Sequence, residues 1–186
     1  KIMIDCGMFQ GSKRIRTLNY DAFRFNPAEV ECVLLTHAHV DHCGLLPKLC
    51  REGFKGEIYA TRVTCELASI MLPDSAHIQE SDAELRNRKG QRSGDEPVQP
   101  LYSLDDAADA LKHFSEIPYE KRIFITDNVE AIYHDAGHIM GSAIIEVYVT
   151  EKDKTTKLVF SGDLGQPAQP ILKDPSIIHG ADYLVV

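Results

Sequence analysis

Short apolar runs recur along this chain between polar segments and glycines, a pattern typical of an α/β protein. Residues 1–4 and 32–36 are mostly apolar, and residues 58–60 form a third such run. Strands buried on both faces have continuous apolar stretches, so these runs predict strands of a parallel sheet. The run at 32–36 leads directly into the segment with the most candidate chemistry.

Helical periodicity follows the second and third predicted strands. A short helix is predicted over residues 46–52, because the proline there is tolerated in a first helical turn. Apolar residues spaced by three and four positions predict a helix over 63–72. Asp74 and Ser75 can cap a second, longer helix running towards Arg88.

The last part of the chain predicts one more helix and then strands. Ser103 and Asp106 resemble a capping box, and Ala107, Leu111 and Phe114 continue an amphipathic helix after it. Alternating and apolar runs predict strands at residues 122–126, 129–134, 143–149, 157–161 and 183–186. The charged segment 150–156 fits an exposed hairpin turn.

Length and composition are those of one globular domain. The 186 residues are enough to bury a core, and 44% hydrophobic residues with 26% charged residues are usual for such a domain. Five cysteines without a CxxC pair indicate neither a disulfide framework nor a cysteine zinc site. No apolar run approaches the roughly 20 residues of a membrane span, and we expect a cytoplasmic protein.

The net charge of −8 argues against a generally basic nucleic-acid-binding surface. Basic residues nevertheless gather at 13–16 and at 86–92. Either run by itself is most simply a solvated turn or helix end. Either run could also form a local patch that contacts a nucleic-acid backbone.

Residues 36–42, Thr-His-Ala-His-Val-Asp-His, contain four potential metal ligands directly after the predicted strand 32–36. Clusters of histidine and aspartate at this spacing are typical of metal sites. Asp41 and His42 are adjacent and diverge, which suits two ions a few ångströms apart better than one. The segment therefore predicts a site for two metal ions.

Two glycine-containing turns supply further candidates. His138 lies within residues 137–141, and Asp163 lies within residues 162–165. Glycines allow the tight turns that direct one side chain into a crowded site. A lone histidine or aspartate in such a turn is usually a loop residue, but the upstream cluster makes ligands the better interpretation.

These residues resemble a known family. Asp5, residues 37–42, residues 137–138 and residues 161–163 look like the first four ordered motifs of the metallo-β-lactamase superfamily. The branch is narrowed by further segments that resemble the β-CASP RNA-processing nucleases: residues 45–49, 59–61, 74–79, 137–142 and 161–165. The likeness covers most of the chain.

The resemblance implies the ligands of two zinc ions: His37, His39 and His138 on one ion, Asp41 and His42 on the other, and Asp163 bridging both. Asp5 is expected to support the site by hydrogen bonding. A water between two such ions loses its proton near neutral pH, and Asp41 could orient it. The catalytic candidates are these same six ligands.

The resemblance also implies the fold and the domain organisation. Residues 1–186 are expected to form part of a metallo-β-lactamase domain, an αββα sandwich in which the cap insertion and the C-terminal part are absent. The β-CASP cap is expected after residue 186, with a further ligand histidine. The second ion is therefore expected to be held loosely or not at all by this chain.

The function implied is a zinc-dependent phosphodiesterase that cleaves RNA internally, with cleavage from an end as an additional activity left open. One alternative is a small-molecule hydrolase of the same fold, acting on a thioester or a lactam. A second is an inactive scaffold paralogue. A homodimer or processing-complex subunits are possible partners. The isolated histidines are interpreted as surface or packing residues: His77, His113, His134 and His179.

Overall fold

The computed structural model describes residues 1–90 and 96–186. Its first sheet is entirely parallel and has its strands in chain order: β1 (Ile2–Ile4), β2 (Cys32–Leu34), β3 (Glu57–Thr61) and β4 (Phe114–Ile117). The central strand β2 is buried along its whole length. The prediction of parallel, apolar strands at the three N-terminal positions is confirmed.

Helices connect the strands of this sheet: α1 (Lys13–Thr17), α2 (Val40–Cys43), α3 (Leu46–Arg51), α4 (Arg62–Gly90) and α5 (Leu104–Leu111). Two 3₁₀ turns occupy Leu18–Tyr20 and Pro27–Glu29. The capping box at α5 is present in both directions. Ser103 Oγ accepts from the Asp106 N–H at 3.1 Å, and Asp106 Oδ2 accepts from the Ser103 N–H at 2.8 Å.

The second sheet contains the later strands in order: β5 (Ile123–Thr126), β6 (Val129–Asp135), β7 (Ala143–Glu151), β8 (Lys154–Phe160) and β9 (Tyr183–Val185). The first four are antiparallel, and β9 lies parallel to β8. All five strands were predicted from the sequence, and β7 and β8 form the predicted hairpin.

Two hydrophobic cores define the layers. The first core joins the helices to one face of the parallel sheet through residues such as Leu35, Leu49 and Leu72. The second lies between the sheets, where Leu34 packs with Tyr133 and Ile145. The order of helices, sheet and sheet confirms the predicted α/β class. Within residues 1–90 and 96–186, no helix has the length and hydrophobicity to cross a membrane.

The prediction of two helices in residues 63–88 is wrong. α4 is continuous for 29 residues and contains Pro73 in its interior. A proline there removes one backbone hydrogen bond and normally ends or kinks a helix. The buried stripe of the helix continues across it, from Ala68 and Leu72 to Ala76, so packing on the core stabilises a single helix.

The predicted extension of the next helix to Phe114 is also wrong. α5 ends at Leu111, and Phe114 begins β4, which pairs with β3 from Ile58 onwards. The run is short and carries Ser115 and Glu116, so only its pairing with β3 makes it a strand. Of the basic run 86–92, residues 91 and 92 lie outside the described residues.

Candidate metal centre

The candidate metal centre lies at the carboxyl ends of β1 and β2, the edge where ligand sites of α/β sheets form. β2 ends at Leu34, and the chain continues through His37 to His39, which is the residue before the first turn of α2. Turns after β6 and β8 bring His138 and Asp163 to the same place. Both sheets therefore contribute to one site.

Four side chains form a single compact group of donor atoms, all within 4.8 Å of one another: His37, His39, His138 and Asp163. His39 Nδ1 lies 2.9 Å from His37 Nε2 and 3.2 Å from His138 Nε2. Asp163 Oδ2 lies 3.4 Å from His138 Nε2 and 3.8 Å from His37 Nε2. This set unites residues from three separate sequence segments.

These spacings fit a tetrahedral metal ion. With ligand bonds of about 2.0–2.1 Å, the donor atoms of a tetrahedral site lie roughly 3.3 Å apart. The four separations given above, from 2.9 to 3.8 Å, bracket that value, and the other donor pairs of the group lie within 4.8 Å. Three imidazoles and one carboxylate are also a donor set that zinc and similar ions accept. The group can therefore hold a metal ion.

The hydrogen bonds of Thr36 fix the His37 ring in the form that binds a metal. Asp5 Oδ2 can only accept, so the Thr36 hydroxyl donates to it, at 2.7 Å. The Thr36 oxygen must then accept from His37 Nδ1, 3.0 Å away. The proton on Nδ1 leaves the Nε2 lone pair of His37 facing the other ligands.

Asp5 connects the centre to β1. Its Oδ1 accepts from the Thr36 N–H at 2.7 Å, and its Oδ2 accepts from His42 Nδ1 at 2.7 Å. Asp5 does not join the compact ligand group. Its position behind two histidines is the one from which carboxylates orient metal-binding imidazoles.

The residues predicted for a second ion are less closely gathered. His42 Nε2 lies 3.3 Å from Asp163 Oδ1, so these two atoms face each other. Asp41 is exposed and is not in the compact group. Asp163 thus presents Oδ2 to the compact group and Oδ1 to His42, as a bridging carboxylate would. The structure brings His42 to Asp163 and leaves Asp41 at the rim.

Burial and hydrogen bonding set the protonation of two rings. Burial lowers the pKa of His37 to about 3, and His42 and His39 nearby add to the effect. The hydrogen bond to Asp5 raises the pKa of His42 against the opposing effect of burial. His37 is therefore neutral at pH 7, as a metal ligand must be.

Close backbone contacts hold the ligand segments in place. A Cβ on Gly7 would lie 1.5 Å from the Asp41 carbonyl oxygen, so only glycine allows the segment after β1 to approach α2. Gly162 has φ +53, and a Cβ there would lie 2.9 Å from the Thr36 Cβ. The residue preceding Asp163 thus packs directly against Thr36.

Hydroxyl groups fix the His138 turn. Ser142 Oγ, which is buried, accepts from the His138 N–H at 3.1 Å. The carbonyl oxygen of Gly141 accepts from Thr61 Oγ1 at 2.6 Å and from Thr64 Oγ1 at 2.8 Å. Through these bonds β3 and the first turn of α4 position His138, which follows β6.

Thr36 and Ser142 are supporting residues that sequence reasoning missed. Thr36 stands immediately before His37, and that adjacency was the available signal. Ser142 has only its place four residues after His138 to mark it. None of the isolated histidines belongs to the compact ligand group of the described residues: His77, His113, His134 and His179.

The sequence and the fold resemble those of known proteins. Residues 1–184 match the family model described as "Metallo-beta-lactamase superfamily". Ribonuclease TTHA0252 of Thermus thermophilus is 36% identical over 185 residues, which are 100% of this chain and 37% of that protein. Transcription termination factor FttA of Methanocaldococcus jannaschii is 29% identical over 164 residues, 88% of this chain and 23% of that protein.

The chain therefore spans less than two fifths of the length of these relatives. Among solved structures, a HARLDQ-motif mutant of the metallo-β-lactamase from Cronobacter sakazakii matches with a TM-score of 0.52. It is 18% identical, and the match covers 91% of this chain and 56% of that chain. At this identity the likeness shows a shared fold and nothing more.

Proposed function

The chain belongs to the metallo-beta-lactamase superfamily, and we propose that it forms the metal-binding part of a zinc-dependent phosphodiesterase that cleaves RNA. The relative named as a ribonuclease, aligned along this entire chain, supports RNA as the substrate and agrees with the resemblance to the β-CASP nucleases. The observation that carries the proposal is the compact group of three histidines and Asp163.

In this proposal His37, His39, His138 and Asp163 hold the first zinc ion. Bound zinc would supply positive charge for the scissile phosphate and lower the pKa of a water molecule. Thr36 keeps the proton of His37 on Nδ1, and Asp5 keeps that of His42 on the same atom of its ring. Each ring thereby turns its Nε2 lone pair towards Asp163.

Asp41 and His42 are proposed to hold the second ion together with Asp163. Asp41 lies at the exposed rim, where a carboxylate can also orient an attacking water. The two sides of Asp163 differ, since three histidines face Oδ2 and its surroundings and only His42 faces Oδ1. We therefore expect this chain to bind one zinc ion tightly and a second one weakly.

The test is the Asp163→Ala variant. Removing the carboxylate should lower the zinc content of the purified protein, measured by metal analysis, and abolish cleavage of single-stranded RNA. Asp127→Ala is the matched control, because Asp127 is exposed in the turn between β5 and β6 and carries the same charge. The control should retain both zinc and activity.

An Asp163→Ala protein that keeps its zinc and cleaves RNA at the original rate would refute the assignment. Hydrolysis of a thioester or a β-lactam by the unaltered protein, with no action on RNA, would favour the small-molecule hydrolase. Zinc-free protein with no hydrolytic activity would favour the scaffold.

A further inference from the structure

Three cationic side chains from distant parts of the chain line one pocket. Lys13 and Arg16 belong to α1, and Arg86 lies near the end of α4. They border a cavity of about 650 Å³. The two basic runs of the sequence, each of which had a simple explanation as a solvated segment, therefore form a common surface. We refer to this cavity as the basic pocket.

The basic pocket is positively charged in a chain that is otherwise acidic. No aspartate or glutamate is among its lining residues, although the chain carries a net charge of −8. Lys13, Arg16 and Arg86 are exposed, and within the described part of the chain none forms an ion pair. Cations grouped without counter-charges attract a polyanion.

One uncharged residue of the pocket also suits a nucleic acid. Tyr20 is 55% exposed, and an exposed aromatic ring can stack on an unpaired base.

The basic pocket is connected to the metal centre by a short, fixed segment. Met8 lines the pocket, and its N–H donates to the Val40 carbonyl, beside the ligand segment, at 2.9 Å. Met8 and Lys13 are five residues apart, so their Cα atoms lie at most about 18 Å apart. A nucleic-acid strand crossing the metal centre can therefore reach the pocket.

Asn19 holds this segment in shape. Its side chain is buried, accepts from the Phe9 N–H at 2.7 Å and donates to the Phe9 carbonyl at 3.0 Å. These two bonds tie the start of the segment to the 3₁₀ turn that follows α1. The position of the pocket relative to the metal centre is thus set by the fold.

From these observations we propose that the basic pocket binds the sugar-phosphate backbone of the single-stranded RNA whose scissile bond lies at the metal centre. Lys13, Arg16 and Arg86 contact successive phosphates, and Tyr20 stacks on a base. Stacking requires unpaired bases, so the ligand is a single strand. The inference rests on the proposed function and adds the path of the substrate.

The test removes the three cations in the intact, zinc-loaded protein with Lys13→Ala, Arg16→Ala and Arg86→Ala combined. Affinity for a 20-nucleotide oligouridine is measured by fluorescence anisotropy at several salt concentrations. The Kd should rise about 10- to 100-fold at low salt. The slope of log Kd against log salt should fall by about 2, since each phosphate neutralised on a single strand contributes about 0.7.

The matched control combines Arg14→Ala, Arg88→Ala and Lys89→Ala. It removes the same number of charges from the same two helices, and none of its residues lines the pocket. The control should bind RNA as the unaltered protein does. Metal analysis of all three proteins should give the same zinc content.

Two results would overturn the inference while leaving the proposed function intact. One is an unchanged Kd and salt slope for the pocket variant of a protein that cleaves RNA. The other is an equal loss of affinity in the control, which would show that the loss comes from the change in net charge alone. If the unaltered protein neither binds nor cleaves RNA, the proposed function fails first and the inference fails with it.

Discussion

Replacing Thr36 by valine tests whether the hydrogen bonds behind the metal centre set its affinity. Valine has nearly the shape of threonine but no hydroxyl, and Thr36 is only 1% exposed. The change deletes the donor to Asp5 at 2.7 Å and the acceptor for His37 Nδ1 at 3.0 Å. The His37 ring, which is 0% exposed, then has a buried N–H without a partner.

The cost follows from that lost partner. An unsatisfied buried donor costs about 1–3 kcal/mol. This free-energy cost destabilises the folded protein. It also destabilises the metal-bound form, in which His37 must keep its proton on Nδ1. Loss of such a supporting group weakens metal binding by about 10- to 100-fold. We expect Thr36→Val to lower zinc affinity within that range and to lower the free energy of unfolding by about 1–3 kcal/mol.

Zinc affinity is measured by competition with a chromophoric chelator, and stability by urea unfolding of the metal-free protein. Thr36→Ser is the control, since it keeps the hydroxyl and loses one methyl group, worth about 0.8 kcal/mol. It should bind zinc nearly as well as the unaltered protein. Equal zinc affinity for the valine variant and the unaltered protein would refute the role assigned to Thr36.

Two further predictions concern the backbone and the second sheet. Gly7→Ala should destabilise the fold by at least the 1–3 kcal/mol typical of overpacking and reduce zinc content, because its Cβ meets the Asp41 carbonyl oxygen. Gly11→Ala is strained by its φ of +115, but its Cβ meets no atom within 4 Å, so this control should keep its zinc. Burial raises the pKa of Glu146, but hydrogen bonds from Lys157 and Tyr148 outweigh it and hold that pKa below the ordinary 4.5. The stability that Glu146 contributes is therefore present above about pH 4.5 and is lost as the pH falls further. Glu146→Gln should flatten this acidic part of the stability profile, measured by urea unfolding at several pH values. An unchanged acid slope in the variant would contradict the role assigned to Glu146.

The sequence was most informative where local pattern and tertiary structure agree. The apolar run ending at Leu34 and the candidate ligands that follow it were conspicuous in the sequence because a buried strand and a metal site both restrict residue type. The prediction failed at Pro73 because a proline normally ends a helix, whereas the packing of Leu72 and Ala76 on the core keeps α4 continuous. β4 was missed because its strand character comes from its partner.

The contact between the two basic runs could not be predicted either. Nothing in residues 13–16 indicates that α4 returns Arg86 to the same pocket, since that proximity follows from the length and direction of a helix that the sequence divided in two. The same holds for Asp41, whose exposure depends on how α2 meets β1. Spacing along the chain identifies ligand types, and packing decides which of them meet.

The origin of the ligands in two different sheets has a consequence for folding. Asp163 follows His37 by 126 residues (163 − 37), and their approach requires that the parallel and antiparallel sheets have already packed together. Contacts between residues so far apart form slowly, because a long loop must close first. A nascent or partly folded chain therefore carries its histidines without the geometry to hold an ion, and metal acquisition becomes a late event that marks the completed fold. Adding zinc at different times after refolding begins would then report when the two sheets dock.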